Sequence, residues 1–90
     1  MLKDEWLTAI RARAKEFDAG VVWLFGSSLD PNREARDIDL AVEGVAPERF
    51  FRFYGRLILD LPKPVDLVDL SLDPPIRHIV WAKGVRIYER

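Results

Sequence analysis

Apolar residues recur at Leu2, Trp6, Ile10 and Phe17, with Ala9 and Ala14 beside them and charged residues mostly between. That spacing follows the period of an amphipathic helix, and Gly20, two residues beyond Asp18, supplies a stop. The pattern then changes. "VVWLF", Val21 to Phe25, is an unbroken β-branched and aromatic run with the length of a buried strand, and Gly26 ends it. Turn chemistry in "DPN", Asp30 to Asn32, leads into "DIDLAV", Asp37 to Val42, where acid and aliphatic residues alternate ahead of Gly44. A period of two predicts a second strand there.

Helical spacing returns after Pro47, a residue that the first turn of a helix tolerates. Phe50, Tyr54, Leu57, Ile58 and Leu61 lie three and four apart, and Pro62 closes the segment. "VDLVDL", Val65 to Leu70, reads as a third strand bounded by prolines. "PPIRHIVWAKG" reads as a short helix closed by Gly84, and "VRIYE" as a last strand. The predicted order is α-β-β-α-β-α-β: an α/β (α+β) fold with a small mixed sheet flanked by helices, in one domain spanning residues 1–90.

Composition narrows the chemistry. With 49% hydrophobic and 32% charged residues the chain has the profile of a globular protein and not of a disordered one. The absence of cysteine removes disulfides, thiolate catalysis and cysteine-ligated zinc together. A net charge of −1 exerts no general pull on nucleic acid or anionic lipid, so a phosphate ligand has to be gripped locally or through a metal. No apolar run approaches the roughly 20 residues that span a bilayer, and "MLKDEW" carries no basic start of a signal peptide, so a cytoplasmic location is expected.

Strands avoid aspartate, which makes "DID" informative. In an extended chain Asp37 and Asp39 share one face, separated by roughly 6.6–6.8 Å, while Ile38, Leu40 and Val42 turn to the other. Two such carboxylates repel one another unless a cation neutralises them. Oxygen donors without histidine or cysteine favour Mg²⁺ or Mn²⁺, the ions of in-line phosphoryl displacement. A third acid on a neighbouring strand would complete a metal site. Asp66, inside the apolar run "PVDLVDL", is the candidate; Asp69, three residues on and near the strand end, reads as structural.

Gly26 lets backbone approach a ligand closely, and a short helix after it would aim free N–H groups at phosphate. Gly26, Ser27 and Ser28 are therefore the candidate nucleotide-binding residues, with Arg33 and Arg36 as further candidates for triphosphate or substrate. Other readings fall away. "DPNREARDIDLA" begins like a calcium loop, but Ala35 and Ala41 occupy the positions that need glycine and a bidentate acid. The chain holds no P-loop run. His78 is assigned no role. Phe50, Phe51, Phe53 and Tyr54 cover more than one helical face, so they divide between core packing and a partner-binding patch.

"LFGSS...RDIDLAV" together with "PVDLVDL" and the closing "GVRIYER" resembles the minimal nucleotidyltransferase (MNT) family, a small branch of the polymerase-β-like nucleotidyltransferase superfamily. The resemblance implies Mg²⁺ and ATP, with Gly26 and Ser27 matching the triphosphate-binding pair, Asp37 and Asp39 the metal-binding pair and Asp66 the third acid. It also implies a partner, a HEPN-domain toxin that the transferase, as antitoxin, silences by adding AMP to a protein hydroxyl. The chain departs from the family at "SLDPN", where a further glycine is common, and at Arg36, where serine is common. These departures set out the alternative: a catalytically weak or inactive antitoxin that works by masking its HEPN partner.

Overall fold

The computed structural model describes residues 2–30, 32 and 36–90. Arg33 lies outside the described residues. Helix α1, Asp4–Glu16, carries Asp4 and Glu5 in its first turn and Arg13 and Lys15 in its last, each sign at the end where the helix dipole favours it. Its stop is not Gly20 but Asp18, which takes the left-handed conformation at φ +57°. Ala19 N–H then reaches back to the Ala14 carbonyl at 2.9 Å, and Gly20 is free to begin the sheet by donating to the Glu43 carbonyl at 2.8 Å.

Strand β1, Val21–Leu24, is followed by a 3-10 turn over Gly26–Leu29. β2, Ile38–Glu43, runs antiparallel beside β1. Helix α2, Pro47–Asp60, crosses over to β3, Val65–Asp69, which pairs parallel with β2. A second 3-10 turn, Leu70–Leu72, leads through a proline pair to α3, Arg77–Lys83, and β4, Val85–Glu89, closes the sheet antiparallel to β1. The sheet order is β3-β2-β1-β4. The predicted element order holds, with two 3-10 turns added.

Two unequal cores follow from strand alternation. On one face Val22, Leu24, Ile38, Leu40, Val42, Val65, Leu67 and Ile87 pack against α1 and α2. Phe53 sits at the centre of this layer, fully buried; removing such a side chain from water stabilises a fold by about 1.5–3 kcal/mol. The other face carries a smaller cluster of Ala41, Leu70 and Val80, with Trp23, Phe25, Val68 and Ile76 against it. Glu43 fastens α3 there, its carboxylate accepting the Trp23 indole N–H at 2.9 Å and the Trp81 indole N–H at 3.2 Å.

The apolar stripe expected on α2 reaches the core at every position but Ile58. Phe53 and Leu57 are buried, and Phe50, Tyr54 and Leu61 join the core, but Ile58 is 53% exposed and Phe51 and Leu59 more so, at 82% and 77%. Arg52 and Arg56 stand exposed beside these three residues. Among the described residues no helix is long and apolar enough to cross a membrane.

Candidate functional site

The smaller core leaves one end of its sheet face uncovered, and the predicted acids lie there. β2 alternates so that Ile38, Leu40 and Val42 enter the large core while Asp39 turns to the opposite face. Parallel register then sets Asp66 of β3 directly beside Asp39. Neighbours on adjacent strands at the same register share a face, so these two carboxylates stand side by side. Asp37 lies one residue before β2, not within it as expected, because its carbonyl is taken by a side chain and not by a strand ladder. Asp69 caps the turn that follows β3, its carboxylate accepting the Ser71 N–H at 2.9 Å.

Burial pushes the Asp39 carboxyl above its ordinary range, and the negative charges of Asp66 and then Asp37 push it further. Asp66 and Asp37 therefore both act on Asp39 electrostatically. Among the described residues no three His, Cys, Asp or Glu side chains form a ready-made group that could hold a metal ion. Asp37 and Asp66 are exposed, and the set is open toward solvent. An open, all-oxygen set fits Mg²⁺, which usually takes one or two carboxylates and fills its remaining positions with water and substrate phosphate. The repulsion gathered on Asp39 is what such a cation would relieve.

Gly26 lies against this site. Its φ is +68°, and a Cβ there would meet Asp39 Oδ2 at 2.6 Å. Neither the conformation nor the space admits another residue without displacing the acid. Ser27, next in the 3-10 turn, is exposed. Ser28 is buried, and its hydroxyl is engaged with the backbone at both acids, accepting from Asp39 N–H at 3.1 Å and donating to the Asp37 carbonyl at 3.3 Å. Of the three serine and glycine positions proposed for nucleotide, the structure thus offers the Gly26 backbone and Ser27 to a ligand and turns the Ser28 side chain inward. Arg36 is exposed next to Asp37.

Two supporting contacts carried no signal in the chain. The Tyr54 hydroxyl donates to the Val65 carbonyl at 2.8 Å, tying α2 to the residue before Asp66. Glu43 joins two indoles and so keeps α3 on its part of the face. Both contacts link residues distant in sequence, which no local spacing reveals. His78 meets Trp81 edge-on at a ring separation of 6.3 Å, within α3.

The polymerase β nucleotidyltransferase family model matches residues 9–90. No curated protein matches the chain in sequence. Among solved structures, one of a toxin–antitoxin complex with AMP-PNP is 22% identical, with a TM-score of 0.73 over 93% of this chain and 73% of that one. One of the MntA–HepT toxin–antitoxin is 20% identical, with a TM-score of 0.70 over 98% and 74%. A third, of a tri-AMPylated Shewanella oneidensis HEPN toxin in complex with an MNT antitoxin, is 22% identical, with a TM-score of 0.68 over 94% and 71%. At these identities the likeness is one of fold. The family match extends through the Gly-Ser turn and every strand that carries an acid, and on that basis the chain belongs to the polymerase β nucleotidyltransferase family.

Proposed function

We propose that this chain is a Mg²⁺-dependent nucleotidyltransferase that moves AMP from ATP to a protein hydroxyl, and that it is the antitoxin of a HEPN/MNT pair acting in the cytoplasm. The observation that carries the reading is the register that sets Asp39 beside Asp66, with Gly26 packed against Asp39.

The triphosphate is gripped at the Gly26 backbone and the Ser27 hydroxyl, the exposed part of the 3-10 turn. Asp37 and Asp39 would hold Mg²⁺, leaving Asp66, beside Asp39, as the proton acceptor. When bound, the ion supplies positive charge to the phosphate oxygens and offsets the charge that develops during transfer. A carboxylate oxygen of Asp66, exposed on the neighbouring strand, accepts the proton of the acceptor hydroxyl. The acceptor oxygen forms a bond to the α-phosphorus, the bond from that phosphorus to the bridging oxygen breaks, and pyrophosphate leaves with the electron pair. Holding the reactants in line at fixed charges accounts for most of the rate in such a reaction.

A HEPN toxin as acceptor is supported by the solved relatives, which include a HEPN toxin carrying AMP groups in complex with an MNT antitoxin. The outer face of α2, with Phe51, Ile58 and Leu59 exposed, is the surface we assign to that partner. Incubation of the chain with the product of its adjacent gene, α-labelled ATP and Mg²⁺ should place label on that protein. A tight complex without label transfer would instead favour a weak or inactive antitoxin that masks its partner. The departures at "SLDPN" and Arg36, where the family commonly has glycine and serine, are the features on that side.

A further inference from the structure

Ser28 is the one buried polar residue among the described residues, at 2% exposure. A hydroxyl buried among apolar groups costs free energy unless it is hydrogen-bonded, and Ser28 spends its proton on the Asp37 carbonyl and a lone pair on the Asp39 N–H. Both bonds fall on the residues that carry the acid pair. Two backbone bonds also hold that tripeptide: Ile38 N–H donates to the Pro64 carbonyl at 2.8 Å, and Phe25 N–H donates to the Asp39 carbonyl at 3.1 Å. Because β2 begins at Ile38, Asp37 has no strand ladder to hold it. Ser28 takes the place of one.

We propose that Ser28 is a positioning residue, whose buried hydroxyl clamps the Asp37–Ile38–Asp39 backbone so that both carboxylates meet the same divalent cation. The inference rests on the reading of these acids as a cation site. It assigns Ser28 to the acids and not to the nucleotide: the hydroxyl has its proton committed and lies out of a ligand's reach. A residue that only filled space could be alanine, and one that only gripped phosphate would face solvent as Ser27 does.

Two measurements on the full chain test this. Amide exchange followed by NMR reads the Asp39 N–H, and titration with Mn²⁺ followed by electron paramagnetic resonance reads the acids. In Ser28→Ala the Asp39 amide should exchange at least about tenfold faster while Leu40 and Val42 stay protected, and Mn²⁺ should bind about tenfold more weakly, the scale typical of lost supporting hydrogen bonds at metal sites. Ser27→Ala should leave both readouts unchanged. Ser28→Cys, which keeps the branching with a slightly larger atom and weakens the hydrogen bonds, should move both in the same direction and serves if the alanine variant does not fold. Unchanged Asp39 exchange would overturn the clamp, and faster exchange with unchanged Mn²⁺ affinity would overturn its purpose. A wild-type chain without affinity for Mn²⁺ would remove the cation site and this role with it, and the exchange result would still show separately whether the hydrogen bonds exist.

Discussion

Asp39 and Asp66 stand side by side across the parallel β2–β3 pair, in direct register. Like charges so placed destabilise a sheet. With burial first, Asp66 second and Asp37 third, the surroundings hold the Asp39 carboxyl above its ordinary value of 3.8. The folded protein thus binds that proton more tightly than the unfolded chain. The penalty is fully present above the folded pKa, and it fades as pH falls toward the unfolded value.

Asp39→Asn removes the charge and keeps the shape. The variant should be more stable than the wild type in metal-free buffer at neutral pH, and the two should converge as the medium is acidified below the ordinary carboxylate range. Urea unfolding across pH measures this. Nucleotidyl transfer should fall by at least about a hundredfold, the loss expected when one fixed electrostatic partner of a reacting group is removed. A variant that keeps full activity would refute the site.

Gly26→Ala tests the approach of the turn to the acid. A left-handed φ of +68° costs an L-residue about 1–2 kcal/mol, and the new methyl would displace an Asp39 oxygen from 2.6 Å. Lower stability together with weaker Mn²⁺ binding is expected. Loss of stability alone would mean that the side chain moves aside without consequence.

The pH dependence of the Arg13–Asp60 pair should run the other way. Arg13 Nε meets Asp60 Oδ2 at 2.5 Å and Nη2 meets Oδ1 at 3.2 Å, a forked contact joining α1 to α2. The hydrogen bond from Arg13 is the main cause that lowers the Asp60 carboxyl below its ordinary range. Its stabilisation is present above the unfolded pKa and is lost as pH falls through the folded one. Asp60→Asn should therefore lower the melting temperature modestly at neutral pH, and not at all once the wild-type carboxyl is protonated. Salt should shrink the difference, since the pair is open to solvent.

Phe51→Glu probes the outer face of α2. The side chain is 82% exposed, so the isolated chain should change in stability by no more than about 0.5 kcal/mol. If the proposed pairing with a HEPN protein uses this face, co-purification with that protein should be lost. Retained binding would assign the partner to another surface.

Periodicity made the elements legible because helix and strand spacing is a local property of the chain. The "DIDLAV" alternation sent Ile38, Leu40 and Val42 inward and Asp39 outward, as their order requires. The same logic marked Asp66 as an acid in an apolar run. On α2 it erred at the margin: Phe50, Tyr54, Leu57 and Leu61 meet the core, but Ile58 fits the helical spacing and stays exposed while Phe53 takes the core, because spacing defines a face without fixing its edges. Nor did it find the stop at Asp18, since Gly20 two residues later carries the stronger local signal.

Residue types and their order along the chain were enough to raise an oxygen-rich cation site, since strand alternation and charge repulsion act within a few residues. The meeting of Asp39 with Asp66 depends on the register of two strands joined by a whole helix, and the duty of Ser28 on which way one hydroxyl turns after Gly26. Both are long-range packing outcomes, selected by the fit of α2 against the sheet and by the cost of leaving a buried hydroxyl without partners.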